Sequence, residues 1–184
     1  VTNTNDDPTL ANAIADQSVN EDSALSYTVP ANTFADVDAG DSLTYAATLS
    51  DGSALPSWLS FNTSTRVFSG TPLNANVGEI TVKVTATDGS AATVSDTFTL
   101  TVANTNDAPT LANALADQNN DEDAAFDLTV PADTFHDVDA TDTFTYTATL
   151  SDGSALPSWL SFAAATQTFS GTPLNGHVGA ITVT

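Results

Sequence analysis

The chain has 184 residues, 41% of them hydrophobic, and sets 23 acidic side chains against 2 basic ones, for a formal charge of -21 at pH 7. A charge of that sign argues against DNA, RNA or an anionic membrane as a partner and makes cations the natural ligands, with a halophile's solvated surface or plain solubility as the alternative. The absence of Cys removes disulfides, thiolate metal sites and Cys nucleophiles together. No run approaches the ~18 apolar residues of a membrane-spanning helix, and with no Met and no signal-peptide pattern the chain reads as a piece of something longer.

Internal repetition sets the organisation. Residues 49–61 recur unchanged as 150–162, and Val1-Thr2-Asn3-Thr4-Asn5-Asp6 returns as Val102-Ala103-Asn104-Thr105-Asn106-Asp107, a period of 101 residues. That is the size of one β-sandwich domain and far longer than most solenoid repeats. The boundaries drawn from it are repeat one at 1–103, a linker at about 103–109, and repeat two at 104–184.

In chain order, apolar residues alternate at Leu25/Tyr27/Val29, Leu43/Tyr45/Ala47/Leu49 and Ile80/Val82/Val84/Ala86, and again, with one acid in the series, at Val94/Asp96/Phe98/Leu100/Val102. A period of two predicts half-buried strands. Asp51-Gly52, Ser69-Gly70-Thr71-Pro72, Val77-Gly78 and Asp88-Gly89 supply turn chemistry between the runs. The expectation is all-β: roughly seven short antiparallel strands per repeat, in an Ig-like Greek-key sandwich. Trp58 and Trp159 are expected to plug the core beside Leu59/Phe61 and Leu160/Phe162, a sugar-stacking surface role being the alternative. Repeat two stops at Thr184, the counterpart of Lys83, so its last strands are incomplete. Either the native chain continues or another chain supplies the missing strand by β-augmentation, which would permit filaments of like subunits.

The acids retained in both copies are clustered. They include Asp6/Asp107, Asp16/Asp117, Glu21/Glu122, Asp22/Asp123, Asp36/Asp137, Asp38/Asp139, Asp41/Asp142 and Asp51/Asp152, and most fall where strands end. Calcium takes six to eight oxygens from carboxylates, Asn amides and main-chain carbonyls, which such loops offer. The Asp36-Val37-Asp38-Ala39-Gly40-Asp41 loop is no EF-hand, because Ala47 stands where the bidentate Glu belongs. His136 and His177 replace Ala35 and Asn76 of the first copy, so neither imidazole belongs to the repeated design, and no Ser/His/Asp or His-metal spacing points to an enzyme.

These motifs carry a resemblance. Asn104-Thr105-Asn106-Asp107-Ala108-Pro109 resembles the cadherin linker, Glu21-Asp22 the acidic pair near the first strand, Asp137-Val138-Asp139 the Asp-x-Asp loop, and Ala86-Thr87-Asp88-Gly89 a fourth element. With Trp58-Leu59-Ser60-Phe61 and Phe68-Ser69-Gly70-Thr71-Pro72, the pattern is similar to bacterial dystroglycan-type cadherin-like (He_PIG-type) tandem repeats of large surface adhesins. The resemblance implies Ca2+ at the inter-repeat junction, with Glu21, Asp22, Asn104, Asn106, Asp107, Asp137, Asp139 and Asp142 as ligands. It also implies an N-terminal half-site of Asn3, Asn5, Asp6, Asp36, Asp38, Asp41 and Asp88 facing a preceding repeat. Where the family carries Asp-x-Glu, this chain has the neutral Asn74-Ala75-Asn76. The implied role is a calcium-stiffened extracellular extender, with neighbouring repeats as partners; a carbohydrate-binding module, with Tyr27, Tyr45 and Tyr146 as candidate aromatics, is the rival reading.

Overall fold

A computed structural model describes residues 4–38, 40 and 42–184. They fold as two compact units dividing between Asn106 and Asp107. All regular structure is strand, apart from two single 3-10 turns.

In the first unit the strands are β1 (Thr9–Leu10), β2 (Gln17–Asn20), β3 (Leu25–Thr28), β4 (Phe34–Ala35), β5 (Thr44–Leu49), β6 (Leu59–Asn62), β7 (Val67–Gly70), β8 (Gly78–Thr87) and β9 (Thr93–Ala103). A four-stranded sheet, β2-β9-β8-β5, faces a three-stranded sheet, β3-β7-β6, with β1 and β4 paired as a short ribbon. The sandwich is the expected one, with nine strands in place of seven. It departs from the expected antiparallel order at one pair, because β2 runs parallel to β9, from Gln17 opposite Leu100 to Asn20 opposite Ala103. Alternating side chains report which face is buried and not which neighbour pairs or in which direction, so this pairing had no signal in the apolar pattern.

The long β8–β9 hairpin shows why the alternation forms strands. Val82, Val84 and Ala86 of β8 and Phe98, Leu100 and Val102 of β9 point inward, meeting Leu25, Leu59 and Phe68 from the other sheet. Lys83 and Thr85 of β8 and Thr99 and Thr101 of β9 take the positions between them. The Phe98 ring packs 5.7 Å from Tyr27, tilted, and 5.6 Å from Phe68, edge-on, and so joins both sheets. Burying each such aromatic is worth about 1.5–3 kcal/mol. Trp58 is half-buried against this core, as expected of a plug.

Two turn assignments take a different physical form. Gly70 ends β7 and is required for space: a Cβ there would collide with the Trp58 carbonyl oxygen, and Gly171 stands in the same relation to Trp159. The β8–β9 turn is made by Asp88, whose carboxylate accepts the Ser90 and Ala92 NH groups, while Ala91 takes the left-handed conformation at φ 70°.

The second unit contains β10 (Thr110–Leu111), β11 (Phe126–Thr129), β12 (Phe135–His136), β13 (Leu160–Ala163) and β14 (Thr168–Gly171). Its three-stranded sheet, β11-β14-β13, repeats the register of the first copy: Phe126 lies opposite Gly171 as Leu25 lies opposite Gly70. Val130, Leu160 and Phe169 form its core, with Trp159 packed against them. The counterpart of the four-stranded sheet reduces to one bridge, Leu150 opposite Val183. Residues 144–149 keep the apolar alternation of β5 without forming a strand, because β5 is held by β8 along its whole length. Residues 118–121 likewise form no strand: Asn120 replaces Val19 and turns its amide onto the Asp121 and Ala124 carbonyls.

Candidate functional site

Each repeat builds its acidic loop by the same local device. In the first unit the Asp38 NH donates to Asp36 Oδ1 at 2.9 Å, an Asx-type turn, and Asp38 Oδ2 accepts the Asp6 NH at 2.7 Å. In the second unit the Asp139 NH donates to Asp137 Oδ1 at 3.0 Å, and Asp139 Oδ2 accepts the Asp107 NH at 2.7 Å. The Asp-x-Asp spacing thus curls the loop on its first carboxylate and uses the second to hold the incoming linker. Asn5 adds a further tie at the first copy, donating from Nδ2 to Asp88 Oδ2 at 3.0 Å. That bond above all, with the Ala92 and Ser90 amides, holds the Asp88 carboxyl below the ordinary carboxylate range. Asn3 and Asp41 lie outside the described residues.

In the second unit Asp137, Asp139 and Asp142 each offer a carboxylate oxygen within 4.8 Å of the others, and Asp139 is buried. The Asp142 NH donates to the Asp139 carbonyl at 3.0 Å, which folds the third acid back towards the first two. No Lys or Arg occurs between Asp107 and Thr184. Three carboxylates at such separations repel one another.

Glu21 and Asp22 part company. Glu21 is 1% exposed; its Oε1 accepts the Thr105 NH at 2.9 Å, while its Oε2 is buried with no hydrogen-bond partner among the described residues. Asp22 is exposed and occupies the left-handed region at φ 56°, its NH donating to the Pro72 carbonyl at 2.8 Å. Asp123 repeats that conformation at φ 61°. The second member of the pair makes the turn in both copies, while the first is buried as Glu21 and exposed as Glu122. Asn104 and Asn106 are exposed on the linker, and Asp107 is half-buried.

A buried carboxylate oxygen without a donor is costly by several kcal/mol unless a cation or proton satisfies it. The residues present therefore fit a hard divalent cation: they are oxygen donors throughout, with no soft ligand among them. Asp36 Oδ2 is a second buried carboxylate oxygen without a hydrogen-bond partner among the described residues.

Elsewhere the structure gives roles that the sequence did not disclose. The Asn74–Asn76 turn is capped by Asn76 Oδ1, which accepts the Leu73 NH at 2.9 Å. In the second copy His177 Nδ1 accepts the Leu174 NH at 3.0 Å, so the imidazole replaces the amide in the same bond, with its ring stacked 6.1 Å from Trp159. The candidate sugar-stacking tyrosines are engaged internally. Tyr27 packs on Phe98, Tyr45 lies between Phe34 at 6.3 Å and the Arg66 guanidinium at 5.4 Å, and Tyr146 contacts Phe135 and Phe144. No helix among the described residues is long and apolar enough to cross a membrane.

Against known proteins, the model of the family described as "Putative Ig domain" matches residues 7–103 and again 108–184. No curated protein matches the chain. Among solved structures, the extracellular cadherin domains 1–4 of protocadherin gamma B7 align with 91% of this chain and 41% of their own, at 18% identity and a TM-score of 0.53. The human desmocollin-1 ectodomain aligns over 99% of this chain and 34% of its own, at 14% identity and a TM-score of 0.43. An endo-fucoidan hydrolase of glycoside hydrolase family 107 aligns over 95% and 25%, at 20% identity and a TM-score of 0.45. The chain spans well under half the length of each of these proteins, and at these identities the likeness shows the fold alone.

Proposed function

The chain belongs to the family described as "Putative Ig domain", and from that premise we propose that it is a calcium-binding structural extender of a bacterial extracellular, cell-surface adhesin, in which calcium stiffens the junction between neighbouring repeats. The observation that carries the proposal is Glu21, a carboxylate buried to 1% exposure with one oxygen hydrogen-bonded by the linker and the other without a hydrogen-bond partner among the described residues. The close set of Asp137, Asp139 and Asp142 in a unit without Lys or Arg supports the same chemistry.

Glu21 would supply the oxygen from the base of the first repeat. Asn104, Asn106 and Asp107 would supply those of the linker, and Asp137, Asp139 and Asp142 those of the second repeat. Asp22, exposed in the first unit, would contribute at the margin of this set. Asn3, Asn5, Asp6, Asp36, Asp38, Asp41 and Asp88 would form the equivalent array towards a preceding repeat. When bound, the ion supplies the divalent charge that offsets the mutual repulsion of these carboxylates. The Asn76 amide oxygen is already committed to the Leu73 NH, which supports a smaller ligand set than one including an Asp-x-Glu element.

Extracellular modules typically bind calcium at about 10⁻⁴–10⁻³ M, matched to millimolar surroundings. Small-angle scattering tests the mechanical part. The maximum dimension is expected to be better defined and longer in millimolar calcium than in chelator, and the same value in both would exclude stiffening.

A further inference from the structure

Asn175 and Gly176 form the one Asn-Gly pair in the sequence, and the fold does not require the glycine. Its φ lies outside the left-handed region, and a Cβ added to it would meet no atom within 4 Å. The first copy builds the same 3-10 turn with Ala75 at that position, Asn74–Asn76 corresponding to Asn175–His177. What the glycine does change is access to its own nitrogen, because it has no Cβ to crowd an approaching group. The asparagines differ as well: Asn74 is half-buried, whereas Asn175 is exposed and its side-chain amide makes no hydrogen bond among the described residues. Within the turn the His177 NH donates to the Leu174 carbonyl at 2.7 Å and the Val178 NH to the Asn175 carbonyl at 3.5 Å. The Gly176 NH, ahead of the first of these bonds, has no acceptor among the described residues. A backbone nitrogen and the amide carbon nearest to it in the chain thus both lie at the surface, and neither is held.

We propose that Asn175 is a site of spontaneous self-modification, at which the turn converts its own asparagine into aspartyl and isoaspartyl residues through a cyclic imide. The Gly176 nitrogen adds to Asn175 Cγ, the Cγ–Nδ2 bond breaks, and the side-chain nitrogen leaves as ammonia with the proton given up by Gly176. Water then opens the imide. Addition at Cγ gives an aspartyl residue on the original backbone; addition at the main-chain carbonyl gives an isoaspartyl residue, whose backbone runs through Cβ and Cγ. Either product carries one new negative charge at neutral pH. The isoaspartyl product also lengthens the backbone by one atom between Leu174 and His177, the two ends of the cap in which His177 Nδ1 accepts the Leu174 NH at 3.0 Å. That bond loses its register, and the turn loses its cap. The first copy, in which Asn76 caps across Ala75, keeps both. Asn175 and Gly176 lie outside the proposed calcium ligands, so this site is independent of the calcium reading.

The test incubates the whole 184-residue chain, folded and in chelator, at pH 8 and 37 °C, and follows each asparagine by peptide mapping and mass spectrometry. Conversion of amide to acid at residue 175 is expected at least 10-fold faster than at residue 74, with isoaspartate among the products. In the isoaspartyl fraction the Leu174 NH is expected to exchange faster with solvent; an unchanged rate would overturn the loss of the cap. Gly176→Ala, which copies the first repeat at a position with open space around it, is expected to slow conversion at least 10-fold and to leave the unfolding transition in place. Equal rates at residues 175 and 74, aspartate formed without isoaspartate, conversion confined to denatured chain, or a Gly176→Ala chain that converts as fast as its parent would each overturn the proposal. Because calcium is absent throughout, failure here leaves the junction reading untouched, and failure of calcium binding leaves this one untouched.

Discussion

The two units present nearly the same sequence to different surroundings. Both build the three-stranded sheet in the same register, from Leu25 opposite Gly70 and from Phe126 opposite Gly171. Only the first builds the four-stranded sheet, whose two central strands, β8 and β9, pair over ten residues. The consequence is legible side chain by side chain: Phe34 is 4% exposed, and Phe135, its counterpart, 38%. The comparison teaches that the three-stranded sheet is built from strands within residues 25–70 and their counterparts, whereas the four-stranded sheet is centred on β8 and β9. The acidic loops are indifferent to this, since Asp6–Asp38 and Asp107–Asp139 make the same 2.7 Å bond in both copies.

The strongest way to break the comparison is to remove the ring that joins the sheets. Phe98→Ala is expected to cost the first unit about 3–5 kcal/mol, read from denaturant unfolding followed by Trp58 emission in a Trp159→Phe background, with the second unit followed by Trp159 emission in a Trp58→Phe background. The transition of the second unit should stay in place. A shift of both would mean that the units unfold as one. Next, Gly70→Ala and Gly171→Ala each place a Cβ against a Trp carbonyl in the shared sheet, and about 1–3 kcal/mol is expected from each. A loss in only one copy would show that the common sheet is not equally formed. A smaller effect distinguishes the two caps: Asn76→Ala and His177→Ala should each cost about 0.5–1.5 kcal/mol by freeing a backbone NH, with His177→Asn close to neutral.

The smallest effect is expected from acid. The Ser53 hydroxyl and NH hold Asp51 below the ordinary carboxylate range, and Ser154 does the same for Asp152. A carboxyl depressed on folding contributes stability above its ordinary value and loses it as pH falls through the folded value. Ser53→Ala and Ser154→Ala should therefore lower the melting temperature slightly near neutrality and converge with the wild type in strong acid. A difference that grows in acid would give the wrong sign.

Much of the fold was legible in the sequence because its signals are local. Val82, Val84, Ala86, Phe98, Leu100 and Val102 alternate, and they are the buried face. What was not legible depends on partners distant in sequence. Residues 144–149 carry the same alternation and form no strand, which shows that the pattern permits pairing and does not enforce it. The parallel β2–β9 pair left no trace for the same reason. Gly70 reads as a turn residue beside Thr71-Pro72, although its requirement is for room beside a carbonyl oxygen. At the acidic loops, repetition drew attention to Asp38 and Asp139, but only the fold separates Glu21, buried with an unsatisfied oxygen, from Asp22, which turns the chain. His177 was passed over because it breaks the repeat, yet it makes the bond that Asn76 makes.

The central claim is that Glu21 and its acidic companions are completed by calcium, and thermal or chemical unfolding in chelator against 10 mM calcium tests it most directly. At the affinities usual for such modules, calcium should stabilise the wild type by about 1.4–2.7 kcal/mol. Glu21→Gln, relieved of its unpaired charge, should be the more stable protein in chelator and gain little from the ion. Identical unfolding of the wild type with and without calcium would contradict the account, as would a Glu21→Gln variant that responds to calcium as fully as the parent.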